Sequence, residues 1–463
     1  MIGIIGIIIS LVLLMYLAYK GWSVILLAPI LALLAVVISG LGGGDIHLLA
    51  TYTEGFMVSL AGYVKSYFPM FLLGALFGKV MDDTGSAKSI AAFISEKIGQ
   101  GKEIWAVVLS CAVITYGGVS LFVAAFAIYP IGAALFKKAD IPKRLLPGAI
   151  ALGAFTFTMT AIPGTPQIQN AIPMKFFETD LFAAPILGLV ATAIMLFGGM
   201  FWLSSRARKA KANGEGYGVH EDKGIRGDDQ TDLPSIFVSI LPILVVLIGN
   251  FVLTKYVFAN IDGTYLEESY NTTLGAVLGN WSLITALTLG IILAIVLNYK
   301  RFENGVMQTL KDGVQGSFLA VMNTASEVGY GNVIKSLSAF ALIAAFMTDV
   351  SPNPLVGEAI SSSVLAGITG SASGGLSIAL ETFGEVFMTR AAQAGIDPQV
   401  LHRVAAVACG GLDTLPHNGA VITLLGITGM THKEAYVNIG MCTVVIPTIA
   451  AITIIILGTI GIV

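Results

Sequence analysis

Two pairs of interruptions break the apolar sequence of this chain at the same spacing. Small polar residues at 117–120 are followed by a break centred on Pro163, and those at 370–373 by a break centred on Pro416. Each member of the second pair lies 253 residues after its counterpart. Matched interruptions inside hydrophobic sequence are typical of a duplicated membrane unit whose broken helices meet at a binding site. The chemistry expected there is the binding of a small solute by free backbone groups and short polar side chains.

The residues around these interruptions can hold an anion without a cationic side chain. Pro163 and Pro166 lack amide donors, so nearby carbonyls lose their helical partners and the next half-helix begins with unpaired amides. Such amides attract anions. Neutral amide side chains follow directly, and hydroxyls and glycines lie at both polar runs. The predicted substrate-binding residues are Thr115, Gly117, Gly118, Ser120, Gly164, Thr165, Gln167, Asn170, Ser371, Ser373, His417 and Asn418.

Two acidic residues within the apolar segments are candidates for proton coupling. Asp413 lies three residues before Pro416, where the first half has neutral Thr160, and Glu327 lies in the middle of another apolar segment. Ionisable residues within membrane helices are costly and usually functional. We therefore predict that Asp413 and Glu327 exchange protons. Two alternatives stay open: Asp413 only caps a half-helix, or the coupling ion is sodium, which unwound carbonyls and hydroxyls also suit.

The remaining charged residues are predicted to lie away from the binding site. His402 and Arg403 are expected at a membrane interface, where polar side chains are ordinary. No lysine or arginine is then available in the middle of the membrane, so amides and hydroxyls must hold a bound anion.

The composition places these sites inside a membrane protein. Of 463 residues, 56% are hydrophobic and only 11% are charged, whereas a soluble domain carries about 25% charged residues. We predict a polytopic membrane protein embedded in the lipid bilayer, without a nucleic-acid partner. The three cysteines, Cys111, Cys409 and Cys442, have no metal-ligand spacing. We therefore predict neither a metal nor an organic cofactor.

Apolar segments long enough to cross a bilayer recur in the same order in both halves. The predicted fold is an all-α polytopic membrane protein with inverted-topology repeats, each with about five spans, one re-entrant hairpin and one broken helix. The first repeat covers 1–203, with a hairpin at about 104–136 and a broken helix at about 144–174. A linker covers 204–233. The second repeat covers 234–463, with a hairpin at about 355–389 and a broken helix at about 400–429.

The positions of the basic residues predict which side of the membrane each loop faces. The linker opens with Arg206, Arg208, Lys209 and Lys211, and basic loops stay in the cytoplasm. With the linker cytoplasmic, most other lysines and arginines fall on the same side, provided that the first hairpin enters from the cytoplasm and the second from outside. Both termini are then extracytoplasmic, and the membrane is the inner (plasma) membrane.

Four stretches around these positions carry a family resemblance: PMFLLGALFGK at 69–79, YGGVS at 116–120, PGTPQIQN at 163–170 and TLPHNG at 414–419. At these residues the chain resembles the gluconate permease (GntP) family of the ion transporter superfamily, and the similarity covers essentially the whole chain. The resemblance implies a secondary active transporter for small organic acids, typically proton-coupled. It also implies a homodimeric scaffold that supports a moving transport domain, as in elevator-type alternating access. Within the family the chain is most similar to permeases for 3-hydroxybutyrate.

The combined prediction is a proton-coupled symporter of a small hydroxycarboxylate such as 3-hydroxybutyrate, and not an enzyme. The alternatives are a proton symporter for gluconate or another sugar acid and a sodium-coupled carboxylate carrier. An intramembrane hydrolase using Ser120 or Ser373 with His417 is disfavoured because no nucleophile elbow is present. A passive channel is disfavoured because it needs no mobile acid and is expected to show rings of like residues.

Overall fold

A computed structural model describes residues 2–20, 22–43, 46–98, 101–220, 233–342, 345, 350–416 and 418–463. Within these ranges every regular element is helical, which confirms the all-α prediction. Numbered in chain order, and leaving out turns of fewer than four residues and π-helical stretches, the α-helices are α1 Ile2–Tyr19, α2 Val24–Gly40, α3 Met57–Asp83, α4 Ser86–Ile98, α5 Glu103–Tyr116, α6 Leu121–Lys138, α7 Leu146–Ala154, α8 Phe157–Thr160, α9 Ile168–Phe177, α10 Pro185–Ala212, α11 Ile236–Val252, α12 Thr264–Tyr270, α13 Leu274–Leu297, α14 Val306–Ser336, α15 Pro354–Thr369, α16 Ala372–Ala394, α17 Pro398–Leu412, α18 Gly419–Thr428, α19 His432–Gly440 and α20 Ile446–Thr459.

Several of these helices have the length and composition of membrane spans. Among the described residues, five continuous helical segments are long and apolar enough to cross a bilayer: Leu48–Asp83, Pro185–Ala212, Ile236–Asn260, Leu274–Leu297 and His432–Thr459. Three of them extend through π-helical turns, at Thr51–Phe56, Leu253–Val257 and Met441–Val445. Shorter apolar helices include α5, α15 and α18. These shorter helices are those of the predicted hairpins and broken helices.

Each segment predicted as a hairpin contains two helices joined by a short turn. The first tip, residues 117–120, joins α5 to α6, and the second tip, residues 370–373, lies between α15 and the first turn of α16. Gly118 has φ +96° and Gly370 has φ +64°. Because side chains with a Cβ rarely adopt positive φ, glycine allows the reversal at each tip. The inverted relation between the two hairpins stays a prediction.

The helices pack in two groups. The scaffold group consists of α1, α2, α3, α11, α13 and α14, which pack mainly on one another. The hairpin group consists of both hairpins, α7 to α10 and α17 to α20. Helix α4 packs against members of both groups, and the groups also touch where α14 packs on α16 and where α9 packs on α13.

The beginning of the linker is attached to the loop that follows the first hairpin. Arg144 Nε and Nη2 donate hydrogen bonds to the two carboxylate oxygens of Glu215, at 2.5 and 2.8 Å, and the Tyr217 amide donates to Asp140 Oδ1 at 2.9 Å. The bonds from Arg144 hold the pKa of the Glu215 carboxyl below its ordinary value. The contact therefore persists at neutral pH and weakens only when the pH falls through that lowered value.

Candidate functional site

The first tip is attached to the first break, residues 161–167, by side-chain hydrogen bonds. Gln167 Nε2 donates to the carbonyl oxygens of Thr115, at 2.7 Å, and Val119, at 3.2 Å. The Tyr116 hydroxyl donates to the Pro163 carbonyl at 2.9 Å. The Thr115 carbonyl also accepts from the Gly118 amide, at 3.0 Å, whereas the bonds to Val119 and Pro163 satisfy carbonyls at the tip and at the proline break. The predicted residues of the first half therefore do form one cluster.

Two buried polar atoms, one at the end of α5 and one in the first turn of α9, have no protein partner. Thr115 Oγ1 and Gln169 Oε1 lack a hydrogen bond to any described residue. Gly118 lies three residues after Thr115 and touches the first break, because a Cβ at this position would be 3.2 Å from Pro166 Cγ. Gly164 has φ +82°, so the backbone of the break also depends on glycine. Thr115 and Gln169 are thus free to bind a ligand hydroxyl or carboxyl.

Thr165 and Asn170 instead use their polar atoms within the protein. The Thr165 hydroxyl donates to the Thr158 carbonyl at 2.5 Å. Asn170 Nδ2 donates to the carbonyls of Thr165 and Leu181, at 3.0 and 2.9 Å. Asn170 Oδ1 accepts a hydrogen bond from Arg403 Nη1 at 2.9 Å. We therefore assign Asn170 a positioning role and not the predicted contact with substrate, and Thr165 has no free donor.

Ser120 caps the helix that follows the first tip. Its Oγ accepts a hydrogen bond from the Val123 amide at 3.4 Å, as an N-cap serine does. The side chain is half-buried, so its hydroxyl hydrogen can still reach a ligand. Gly117 faces Ile243 of α11, where a Cβ would lie 2.8 Å from that side chain, so Gly117 serves close packing against the scaffold group.

The second tip is attached to the second break, residues 413–418, in a similar way. Asn418 Nδ2 donates to the Gly370 carbonyl at 2.7 Å, while its Oδ1 caps α18 by accepting from the Val421 amide at 2.9 Å. Ser371 caps α16 by accepting from the Gly374 amide at 3.1 Å. Ser373 Oγ lies 3.5 Å from Ser371 Oγ. His417 lies outside the described residues.

Glu327 connects α14 of the scaffold group with the second tip. Its side chain is 5% exposed, and Oε2 has no hydrogen-bond partner among the described residues. The hydroxyls of Tyr63 and Ser371 lie beside the carboxylate. A Cβ on Gly374 would overlap Oε2, so the carboxylate lies directly on the first turn of α16. A helix N-terminus favours a negative charge, which makes this contact sensitive to the protonation of Glu327.

We expect Gly374→Ala to reduce transport at least about tenfold while the protein still folds. The added methyl group would occupy the position of Glu327 Oε2, and displacing a positioned group by about 1 Å can cost 10²-fold in rate. The measurement is initial uptake rate in proteoliposomes at equal reconstituted amounts. Gly316→Ala is the matched control, because it lies on the same helix as Glu327 and a Cβ there meets nothing within 4 Å. Equal rates for both variants would contradict the prediction.

Asp413 lies at the end of α17, where the second break begins. Its side chain is 7% exposed, and Oδ1 has no hydrogen-bond partner within the described ranges. The next residue is firmly held: the Thr414 hydroxyl donates to Thr443 Oγ1 at 2.7 Å, and the Tyr436 hydroxyl donates to the Thr414 carbonyl at 3.1 Å. A buried carboxyl with one unpartnered oxygen, in a fixed backbone position, is suited to exchange a proton.

Arg403 is the residue that sequence reasoning placed wrongly. It does not lie at an interface: its side chain is 0% exposed. All five N–H donors of the guanidinium are used, at 2.7 to 3.3 Å, and every acceptor lies in or next to the first broken helix of the other half. The acceptors are the carbonyls of Thr160, Leu181 and Ala183, the last of which accepts two bonds, and Asn170 Oδ1.

The neighbouring His402 joins the same network. Its Nδ1 lies 2.6 Å from Thr179 Oγ1 and its Nε2 lies 3.1 Å from Asn170 Oδ1. The side chain is fully buried, so His402 does not lie at an interface either. A histidine and an arginine near the start of an apolar segment look the same in sequence whether they face the membrane surface or the protein. No signal in the sequence distinguishes the two cases.

Arg403 cannot donate to a substrate, yet it places a positive charge next to the binding cluster. A Cβ on Gly188 would lie 3.2 Å from Arg403 Nε and 3.1 Å from Pro163 Cγ. The guanidinium therefore lies close to the first break. Its charge also reaches Tyr116 at the first tip. The prediction that no cation lies near these residues is therefore wrong, because a fixed positive charge that is already hydrogen-bonded lies next to the first break.

The two tips contact the scaffold group at different residues. The first tip contacts Gly78 of α3 and Ile243 of α11, whereas the second tip lies near Tyr63 of α3 and Glu327 of α14. The helices that precede the two breaks, α8 and α17, are in close contact, because a Cβ on Gly410 of α17 would be 2.9 Å from Thr160 of α8. Within the described ranges no group of three or more histidine, cysteine, aspartate or glutamate side chains could hold a metal ion.

Comparisons with known proteins match this architecture. The model of the GntP family permeases matches residues 1–460. The uncharacterized transporter YxjC of Bacillus subtilis (strain 168) is 44% identical over 456 residues, which cover 95% of each chain. A gluconate permease of Bacillus licheniformis is 26% identical over 263 residues, which cover 54% of this chain and 53% of that permease.

A solved structure with the same fold also matches. MtrF of Neisseria gonorrhoeae, described within a class of antimetabolite efflux pumps, superposes with a TM-score of 0.55 and 13% identity over 95% of each chain. At this identity the likeness establishes the fold only. It agrees with an all-α membrane transporter.

Proposed function

Because the chain belongs to the GntP permease family, we propose that this multi-pass membrane transporter is a proton-coupled symporter for a small hydroxycarboxylate such as 3-hydroxybutyrate. The observation that carries the proposal is the contrast between the two halves of the site. The first tip and break offer unpartnered neutral atoms of Thr115 and Gln169 near the charge of Arg403. The second tip and break offer the buried carboxyls of Glu327 and Asp413.

The neutral cluster suits a short anion. A carboxylate would accept from the Thr115 hydroxyl, and a substrate hydroxyl would donate to Gln169 Oε1. The residues before the first break, Phe155, Phe157 and Met159, are all buried and supply apolar surroundings. A sugar acid carries more hydroxyls than the free atoms of this cluster can pair, and unpaired polar groups are expensive to bury. A short monocarboxylate therefore fits better than gluconate.

The buried carboxyls support proton coupling. Accumulating an anion against an inside-negative potential costs about 2.3 kcal/mol per charge per 100 mV, so at least one cation must accompany it. We assign this role to protons carried by Asp413 and Glu327. The division of the helices into scaffold and hairpin groups supports elevator-type movement of the hairpin group, and we extend the proposal to a homodimer built through the scaffold group.

One other substrate class and one other coupling ion are each favoured by a specific observation. Similarity to a gluconate permease over about half of the chain favours a sugar acid. The carbonyls and hydroxyls at the breaks favour sodium as the coupling ion.

Uptake into proteoliposomes decides among these proposals. We expect radiolabelled 3-hydroxybutyrate to accumulate above equilibrium under an imposed pH gradient without sodium, and radiolabelled gluconate not to accumulate. Accumulation of gluconate alone would overturn the substrate assignment. A requirement for sodium would overturn the assignment of the coupling ion, and equilibration without accumulation would indicate a passive pathway.

A further inference from the structure

The first helix of the second hairpin carries a buried acid that the proposed coupling does not use. Glu358 lies in α15, and its side chain is 0% exposed. Neither carboxyl oxygen has a hydrogen-bond partner in the part of the chain that the structure describes. Ser362 lies four residues later, on the same helix face. It is also fully buried, with an unpartnered hydroxyl. Three unpartnered polar atoms thus share one face of α15.

Protein and not lipid surrounds this face. Helix α15 packs along both α16 and α17. Gly375 of α16 lies so close to the Ala366 backbone that a Cβ would overlap it. The Ser363 hydroxyl donates to the Ala408 carbonyl of α17 at 2.8 Å. The acid is therefore enclosed inside the hairpin group, without access to the bilayer.

No charge compensates Glu358 in this enclosure. Helix α20 packs on α15 but has no titratable residue, and no described charged side chain interacts electrostatically with the Glu358 carboxyl. An ionised carboxylate without a partner is strongly disfavoured in such surroundings, so Glu358 is neutral in this conformation. The described titratable groups on the other elements packed against α15 are Tyr16 of α1, Glu381, Glu385 and Arg390 of α16, and His402, Arg403 and Cys409 of α17, with Lys20 and Asp397 at helix ends.

A structural role does not explain an acid at this position. A neutral carboxyl that makes no hydrogen bond destabilises the fold, whereas an apolar residue of similar volume would pack without that penalty. In membrane proteins such ionisable residues mark proton pathways. Glu358 is also close to a helix end, because it lies four residues, or about 6 Å along the helix axis, from the first residue of α15.

We propose that Glu358 is a further proton-binding site, separate from the substrate cluster and from Asp413 and Glu327. Its carboxyl holds a proton while α15 is packed in the second hairpin. When the hairpin loosens and water reaches it, the O–H bond breaks, the proton passes to water and the carboxylate remains. Each transport cycle then moves one proton in addition to those carried by Asp413 and Glu327. This inference rests on the proposed proton symport.

The test is the proton-to-substrate ratio, measured as the pH gradient at which net 3-hydroxybutyrate flux is zero in proteoliposomes. We expect Glu358→Gln to transport with one proton fewer per substrate, so that a gradient of one pH unit supports about tenfold less accumulation. Glu358→Leu should give the same reduced ratio and a protein at least as heat-stable as the wild type, because it removes the unpaired carboxyl. Glu381→Gln is the control, because it makes the same change at a partly exposed acid of α16.

The outcomes separate this inference from the proposed function. An unchanged ratio in both Glu358 variants would overturn the site, and so would complete inactivity of both variants when each is folded. Wild-type protein that moves 3-hydroxybutyrate without protons, or does not move it at all, would instead overturn the proposed function. Should Glu358→Gln fail to fold, Glu358→Leu alone decides the ratio.

Discussion

Replacing Asp413 by asparagine is expected to lower uphill accumulation about tenfold under a gradient of one pH unit while leaving exchange of substrate across the membrane intact. The side chain is buried and Oδ1 has no partner among the described residues, so asparagine fits the same space but cannot carry a proton. With a gradient of one pH unit, each coupled proton supports about tenfold accumulation. Loss of the proton at Asp413 removes that factor.

The measurement compares net accumulation of 3-hydroxybutyrate with counterflow in the same proteoliposomes. Counterflow needs only alternating access, so it reports whether the variant still moves substrate. Asp397→Asn is the matched control, because Asp397 is an exposed acid that caps the same helix and asparagine caps equally well. Normal accumulation by Asp413→Asn would show that Asp413 does not carry the coupling proton. Loss of both activities would show that it holds the break together.

Replacing Arg403 is expected to have the largest effect on stability. Lysine offers three donors in place of five, and four acceptor groups surround the guanidinium. Arg403→Lys therefore loses at least two of the five hydrogen bonds and Arg403→Gln at least three, at a cost of about 1 kcal/mol for each bond lost. Thermal unfolding of the detergent-purified protein measures the difference, with Arg208→Lys, on an exposed side chain, as the control.

The two Arg403 variants also separate the role of charge from that of hydrogen bonding. Arg403→Lys keeps the positive charge near the first break, whereas Arg403→Gln removes it. We expect KM for the substrate anion to rise several-fold more in Arg403→Gln than in Arg403→Lys, measured at a temperature where both are folded. An equal KM in the two variants would show that the charge does not contribute to binding, and a melting temperature like that of the wild type would contradict the positioning role.

Much of this architecture could be predicted because it depends on local sequence. Apolar segments separated by glycine and proline indicate helices and their interruptions, since hydrocarbon requires every backbone group to be paired within the segment. The glycines at both tips and the prolines at both breaks lie between helices in the structure. The acids Asp413 and Glu327 could be named for the same reason, because a carboxyl in apolar sequence is conspicuous wherever it points.

What only the tertiary structure decided is which polar atoms are already paired. Asn170 and Arg403 are 233 residues apart in sequence, yet they share a hydrogen bond. That contact removes Asn170 from the list of free ligands and brings a buried charge to the binding cluster. Glu358 is not singled out by the sequence, and only packing of α15 against α16 and α17 shows that it is enclosed. Sequence determined where the chain is interrupted, because hydropathy and backbone chemistry are local properties. The fold determined what each interruption can bind, because pairing and burial depend on residues that are distant along the chain.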